Sequence, residues 1–238
     1  MINLYVTSSS GKCGKTFITT GLAVTMQSLG YSTTVYKPIQ TSGIDLNGFM
    51  QSPDLTQVKS MDPYINTHFT YLYKSDSEPL IASEIENNPI DADLILSEFK
   101  RISSNSDCTI IDGEGEILSP LAPETQNSDL ISKLNIPMLI VTTPDENAVN
   151  NTLMTIFTAT EKGIDVRGVV INNINKDCPK EMLTSLSRII EEYTNVKVLG
   201  LINHIENKIT PEDLITSILN GIDIESIFNI KIEKLDME

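Results

Sequence analysis

The stretch Val6-Thr-Ser-Ser-Ser-Gly-Lys-Cys-Gly-Lys-Thr16 follows an apolar alternation at residues 2–6 and leads into a helix-like run at 17–29. A strand, a small-residue loop closed by Gly14-Lys15-Thr16, then a helix is the layout of a phosphate-binding loop. Backbone N–H groups of such a loop converge on an anion, and the next helix adds unpaired first-turn donors and the positive end of its dipole. Gly11, Lys12, Cys13 and Gly14 would form the cradle, and Lys15 would reach the outer phosphates. Thr16 would offer its hydroxyl to a magnesium ion. The glycine pattern is incomplete, because Ser9 stands at the first glycine of G-x-x-x-x-G-K-[ST] and only Gly11 and Gly14 keep full backbone freedom. An ordinary Ser/Gly turn before a helix is the competing reading. Placement directly between the first strand and the first helix favours the phosphate loop.

Apolar strand-like runs alternate with amphipathic helical ones along all 238 residues, with no linker, repeat or low-complexity block. That order predicts one α/β domain over 1–238, of P-loop NTPase type, with a mostly parallel central sheet and helices on both faces. Lys and Arg number 17 against 32 Asp and Glu, a net charge of −15 that repels nucleic acid. No run approaches the roughly 20 apolar residues of a membrane span. Met1 leads straight into a strand without the basic start of a signal peptide, so a cytoplasmic protein without a membrane partner is expected. Cys13, Cys108 and Cys178 are odd in number and far apart, which fits reduced thiols. His68 and His204 are isolated and read as surface or loop residues.

A β-branched run at 32–37 reads as the second strand and ends in Lys37-Pro38-Ile39-Gln40-Thr41. Open α/β sheets bind ligands at the carboxyl ends of their strands, so Lys37 is either a second cation of the site or a solvated lysine before a turn. Ser52-Pro53-Asp54 is a helix start, where Asp54 serves the helix dipole or a magnesium ion. The Pro-, Tyr- and Asn-rich stretch 44–86 is assigned as an insertion with short helices. A helix at 91–103 would turn Leu94, Ile95, Phe99 and Ile102 to one side. An apolar run then ends in Asp112-Gly113-Glu114-Gly115-Glu116. That is the layout of a strand whose carboxylate meets a metal beside the phosphate loop, and also of a plain turn. Glu114 and Glu116 are expected to face solvent or a cationic substrate. Further strands fall at 137–142, 166–171 and 196–202, with helices at 147–162, 179–193 and from Thr210-Pro211. Gly21 reads as a close-packing point against the sheet, and the tail past Gly221 as a late edge strand or frayed.

Taken together, the phosphate loop, Tyr36-Lys37-Pro38-Ile39-Gln40-Thr41, Ser52-Pro53-Asp54, Glu78-Pro79-Leu80, Asn88-Pro89-Ile90-Asp91, Asp112-Gly113-Glu114-Gly115 and Gly168-Val-Val-Ile-Asn172 resemble the dethiobiotin synthetase family from end to end. The resemblance implies an ATP- and Mg2+-dependent cyclo-ligase that joins 7,8-diaminononanoate and CO2 through a carbamate and its mixed phosphoric anhydride. It implies Lys15 and Lys37 as the catalytic cations, and Thr16, Asp54 and Asp112 around the metal. Gly115 would lie at the nucleotide, Thr41 in the diamine pocket and Asn172 against the adenine. It further implies a homodimer in which the helix start Asn147-Ala148-Val149-Asn150 holds the substrate carboxylate of the partner, a stretch that also reads as an ordinary helix cap. The chain departs from the family pattern at Ser8, where a loop glycine is usual, and at Lys12, where an acid is common. Asp112 replaces a glutamate, and Glu114 and Glu116 replace small residues. The alternatives are a diverged relative with an altered substrate and a partitioning-type ATPase switch, which carries a second lysine five residues ahead of Lys15; Ser10 stands there.

Overall fold

The computed structural model describes residues 1–205 and 209–232. In chain order the elements are β1 (Ile2–Ser8), α1 (Lys15–Ser28), β2 (Thr33–Gln40), β3 (Ile44–Leu46), β4 (Phe49–Gln51), α2 (Pro53–Met61), β5 (Asn66–Leu72), α3 (Pro79–Ile85) and α4 (Ala92–Ser103). There follow β6 (Cys108–Glu116), β7 (Pro120–Ala122), β8 (Thr125–Gln126), α5 (Asn127–Leu134), β9 (Met138–Thr142) and α6 (Ala148–Glu161). The last are β10 (Val166–Ile174), α7 (Lys180–Thr194), β11 (Val198–Asn203), α8 (Pro211–Gly221) and α9 (Ile224–Phe228).

Seven strands form one sheet in the order β11-β10-β9-β1-β6-β2-β5, and each of its neighbouring pairs is parallel. Parallel strands covered on both faces read as continuous apolar runs, which is why Leu4-Tyr5-Val6, Ile110-Ile111 and Leu139-Ile140-Val141 are all buried. One core layer packs α4, α5, α6 and α7 against Tyr5, Ile111, Ile140 and Ile171. The other packs α1, α2, α8 and α9 against Leu4, Val6, Ile110 and Val170. Burying each such aliphatic side chain contributes about 1.5–3 kcal/mol. β1 occupies the middle of the sheet, so the loop that leaves it emerges between the two halves.

Several expectations need correction. The stretch 44–86 supplies β5, the edge strand of the main sheet, together with the β3–β4 hairpin and two helices. Its sequence, Asn-Thr-His-Phe-Thr-Tyr-Leu, is polar because an edge strand is only partly covered. Leu94 is exposed, while Ile95, Phe99 and Ile102 alone of that set face the core. Gly21 meets a helix instead of the sheet: a Cβ there would lie 2.6 Å from Ile218 Cδ1 on α8. Past Gly221 the chain forms α9, capped by the Asp223 carboxylate on the Ser226 N–H; the charged end, 233–238, lies outside the described residues. α5 has no counterpart in the sequence reading.

Candidate active site

The phosphate loop is held from both sides. Ser9 donates its N–H to the Val141 carbonyl and its hydroxyl to Thr142 Oγ1, each bond within 2.9 Å. A buried side chain with that anchor needs no glycine, which explains the serine at the first glycine position. The left-handed positions of the loop are Lys12, at φ 62°, and Gly14, at φ 78°. Gly11 is not among them, so the loop places a lysine where the sequence reading put glycine freedom. Gly14 also gives close approach, since a Cβ there would fall 2.3 Å from Asn172 Nδ2. That amide donates to the Cys13 carbonyl at 2.8 Å. Ser10 Oγ contacts Cys13 Sγ at 3.1 Å, inside the loop.

A bulge in β6 builds the opposite wall. β1 advances from Val6 to Ser8 while its partner advances from Asp112 to Glu116, so Gly113, Glu114 and Gly115 are thrown out of register. Glycine is required at both flanks of Glu114. A Cβ on Gly113 would meet Tyr5 Oη at 2.7 Å, and Gly115 has φ 67° with Ser119 Oγ 2.5 Å from its would-be Cβ. Asn127, buried at the start of α5, donates to the carbonyls of Glu114 and Glu116 and accepts from the Tyr5 hydroxyl.

Lys37 sits inside this frame, not in solvent. It is 1% exposed, and its Nζ lies 2.6 Å from Asp54 Oδ2, 2.8 Å from Glu114 Oε2, 3.2 Å from Asp112 Oδ2 and 2.9 Å from the Gly113 carbonyl. Ser52 brings Asp54 here. Its hydroxyl caps α2 by accepting from the Leu55 N–H and donates to Gln40 at the end of β2. Asp54 is therefore a first-turn residue and a site residue at once. Thr16 Oγ1 and Thr19 Oγ1 donate to the two oxygens of Asp112 at 3.0 and 3.2 Å. Thr41 Oγ1 donates to Glu114 Oε1 at 2.8 Å. Glu114 thus faces Lys37 and Thr41, in place of the solvent or cationic substrate expected for it.

Burial by itself would lower the Lys37 pKa, but the carboxylates of Asp112, Glu114 and Asp54 outweigh it and hold the ammonium well above its ordinary value. Burial raises the Asp112 carboxyl above the usual carboxylate range, against the pull of Lys37 and Lys15. Asp54 is less enclosed, and there Lys37, Lys15 and the Thr16 hydroxyl outweigh burial and keep the carboxyl below its usual value.

Lys12, Cys13, Gly14, Lys15, Thr16, Lys37, Thr41, Asp54, Gly115 and Gly11 line one cavity of about 750 Å³, and the acids Asp76, Glu78, Glu114 and Glu116 line it as well. Asn172 lines a neighbouring hollow of about 280 Å³ with Lys12, Gly14, Phe17, Asn173, Asn203, His204 and Ile205. Asn147, Ala148, Val149 and Asn150 line neither. Asn147 makes no side-chain cap; its N–H donates to the Asp145 carboxylate instead. Among the described residues no group of three or more His, Cys, Asp or Glu has the geometry to hold a metal alone. Magnesium at a phosphate loop takes few protein ligands and completes its shell from phosphate and water, so the Thr16 hydroxyl with the Asp54 and Asp112 carboxylates fits that ion. Sequence reasoning missed Tyr5, Thr19 and Asn127, whose roles rest on contacts spanning 122, 93 and 11 to 13 positions.

A parallel sheet with its phosphate loop at the central strand, and ligand-facing side chains at the carboxyl ends of β1, β2, β6 and β10, defines a P-loop NTPase fold. A family model described as an AAA domain matches residues 3–212, and the chain belongs to that family. An ATP-dependent dethiobiotin synthetase of Nitrosopumilus maritimus is 30% identical over 213 residues, covering 87% of this chain and 91% of the relative. That of Bacillus subtilis subsp. natto is 28% identical over 232 residues, covering 96% and 98%. Solved structures of the same fold include the Pyrococcus furiosus cell division ATPase MinD, at TM-score 0.59 and 16% identity, covering 97% of this chain and 100% of that one. A ParA family ATPase from Chlorobium tepidum gives 0.56 and 14%, covering 97% and 93%. At such identities these two speak for the fold alone. No helix among the described residues is long and apolar enough to cross a membrane.

Proposed function

We propose that the protein is an ATP- and Mg2+-dependent dethiobiotin synthetase, closing the ureido ring of dethiobiotin from 7,8-diaminononanoate and CO2. The observation that carries this reading is the placement of buried Lys37 in the cavity that Lys15, Thr16 and Asp54 also line, with its Nζ 3.2 Å from the buried Asp112 carboxylate. A nucleotide-binding cradle alone requires only the loop. A second buried cation beside it serves a reaction in which an anionic carbamate oxygen attacks the γ-phosphate. Lys15 neutralises charge on the transferring phosphoryl group. Lys37 neutralises charge on the carbamate and on the oxygen that becomes part of the anhydride. Thr16, Asp54 and Asp112 would hold the metal, which would supply positive charge to the phosphates, and Gly11 to Gly14 with Gly115 would enclose the nucleotide. Asn172 lies against the adenine hollow, with Thr41 on the substrate side.

The second amine of the substrate then displaces phosphate and closes the ring. The carboxylate tail is held at the helix start 147–150 of a partner subunit, an anion on the Val149 and Asn150 N–H groups, since those of Asn147 and Ala148 are taken by Asp145. The homodimer this requires is supported by Met154 and Phe157, apolar residues about half exposed on the same helix. A cytoplasmic location goes with this reading. The switch-ATPase alternative finds its second-lysine position filled by Ser10, whose hydroxyl is turned inward to Cys13.

Phosphate release from Mg-ATP with and without 7,8-diaminononanoate and bicarbonate, with mass detection of the ureido product, tests the reading. Diamine-dependent release with product is the expected result. Binding of ATP without diamine-dependent turnover would overturn it.

A further inference from the structure

An ammonium has three N–H donors. Lys37 Nζ has four acceptors within 3.2 Å, so it is over-subscribed and its partners compete. They fall on two sides. Asp54 and Asp112 lie with Thr16 on the side assigned to the metal in the reading above, on which this inference rests. Glu114 and the Gly113 carbonyl belong to the β6 bulge, and the second Glu114 oxygen accepts from Thr41. A divalent ion on Asp54 and Asp112 would repel the ammonium from those oxygens. The bulge side then keeps it.

Glu114 is built to stay where it is. Its backbone carbonyl is clamped by the buried Asn127 amide, which Tyr5 orients in turn, and glycines on both sides let the bulge close over Tyr5 and Ser119. The Asn127 and Tyr5 anchors do not involve Lys37, and the Thr41 hydroxyl holds the far carboxylate oxygen. The carboxylate is therefore a fixed post and the lysine is the part that moves.

We propose that Glu114 is the positioning residue for Lys37, drawing its ammonium off the metal-side pair Asp54 and Asp112 and holding it beside Thr41. Glu114 acts through the lysine and need not touch phosphate. Its loss leaves Lys37 on Asp54 and Asp112, as a resident cation that an incoming metal must displace.

The test is ATP binding by isothermal titration calorimetry across a series of Mn2+ concentrations, in the full chain. In E114A the Mn2+ concentration giving half of the metal-dependent tightening should rise about tenfold, the scale of one charge-assisted hydrogen bond. E114Q keeps the side-chain volume and an acceptor for Thr41 but loses the charge, and should rise likewise. K37M removes the competitor, so its midpoint should fall below that of the wild type. K37M/E114A should match K37M, because Glu114 acts only through Lys37; a general loosening of the site would shift the double variant as well. The proposal is overturned if E114A and E114Q stay within about twofold of wild type, or if E114A shifts the K37M background as far as it shifts the wild type. A wild type that binds Mn-ATP normally yet forms no ureido product would sink the ligase reading alone, and the Mn2+ midpoints would still decide the role of Glu114.

Discussion

Asn172 Nδ2 donates to the carbonyl of Cys13 at 2.8 Å, joining residues 159 positions apart. The bond ties the end of β10 to the middle of the phosphate loop, and Gly14 leaves the room for it. Gly14→Ala would bring a methyl against that amide and force a left-handed alanine, at about 1–2 kcal/mol for the backbone alone. ATP affinity measured by calorimetry should fall by at least about tenfold, with Asn172→Ala giving a similar but smaller loss through an unpaired carbonyl. Unchanged affinity in both variants would show that the loop holds its shape without β10.

Lys37→Ala should lower product formation by about a hundredfold or more, while ATP affinity at saturating magnesium stays near that of the wild type. Lys15 carries the phosphates, and Lys37 faces the reacting oxygens. Steady-state product assays beside direct ATP titration separate the two effects. Normal turnover would remove Lys37 from the chemistry.

The same lysine sets a pH dependence of stability. At Asp54, burial raises the carboxyl but Lys37 outweighs it, so the folded pKa lies below the ordinary 3.8. A depressed carboxylate contributes stability that is present above the unfolded value and lost as pH falls through the folded one. Lys37 is raised above 10.5, so its own contribution is present below 10.5 and lost only as pH rises through the raised value. Lys37→Met should therefore be less stable than wild type by about 3–5 kcal/mol across neutral pH, the cost of leaving buried carboxylates unpaired. The difference should shrink in acid, as Asp54 titrates in the wild type and as Asp112, already raised by burial, takes a proton in the variant. Urea melts at about pH 7 and about pH 3 check this, and a constant difference would refute it.

Both oxygens of Asp112 accept threonine hydroxyls, from Thr16 and Thr19. Asp112→Asn would turn one of these acceptors into a donor facing a donor, and would remove a carboxylate from the proposed metal set. Turnover should drop and the magnesium optimum should move upward. Wild-type rates at limiting magnesium would make Asp112 a structural residue.

Asn127→Ala would release the carbonyls of Glu114 and Glu116 together. We expect a loss of about 1–3 kcal/mol in denaturant melts, with a Mn2+ requirement for ATP binding that rises as in E114A. A stability loss without the metal effect would confine Asn127 to the scaffold.

The parts of the fold legible in the sequence are those whose signal is local. The phosphate loop, the Ser52 cap, the Thr210 cap and the buried strands each announce themselves within a dozen residues. β5 does not, because an edge strand needs no continuous apolar run, and its neighbours Pro63 and Tyr64 suggest a loop. α5 is only eight residues long and begins with Asn-Ser-Asp, which reads as a turn. At the site, Lys37, Asp54 and Asp112 could be nominated from chemistry and strand-end placement. The use of Glu114 could not, since it depends on a bulge created by pairing with β1 more than a hundred residues earlier.

The central position of β1 sets the order of assembly. Its register runs Ile2 with Cys108 on one side and Tyr5 with Met138 on the other, and neither partner lies nearby in the chain. A nascent chain that has produced the phosphate loop has nothing to pair with the strand beneath it until β6 and β9 have left the ribosome. Ser9, which bonds Val141 and Thr142, waits for the same segment. Loop closure of that length comes before its contacts are gained, so refolding should be slow for the chain's size, and the nucleotide cradle should be among the last parts to take shape.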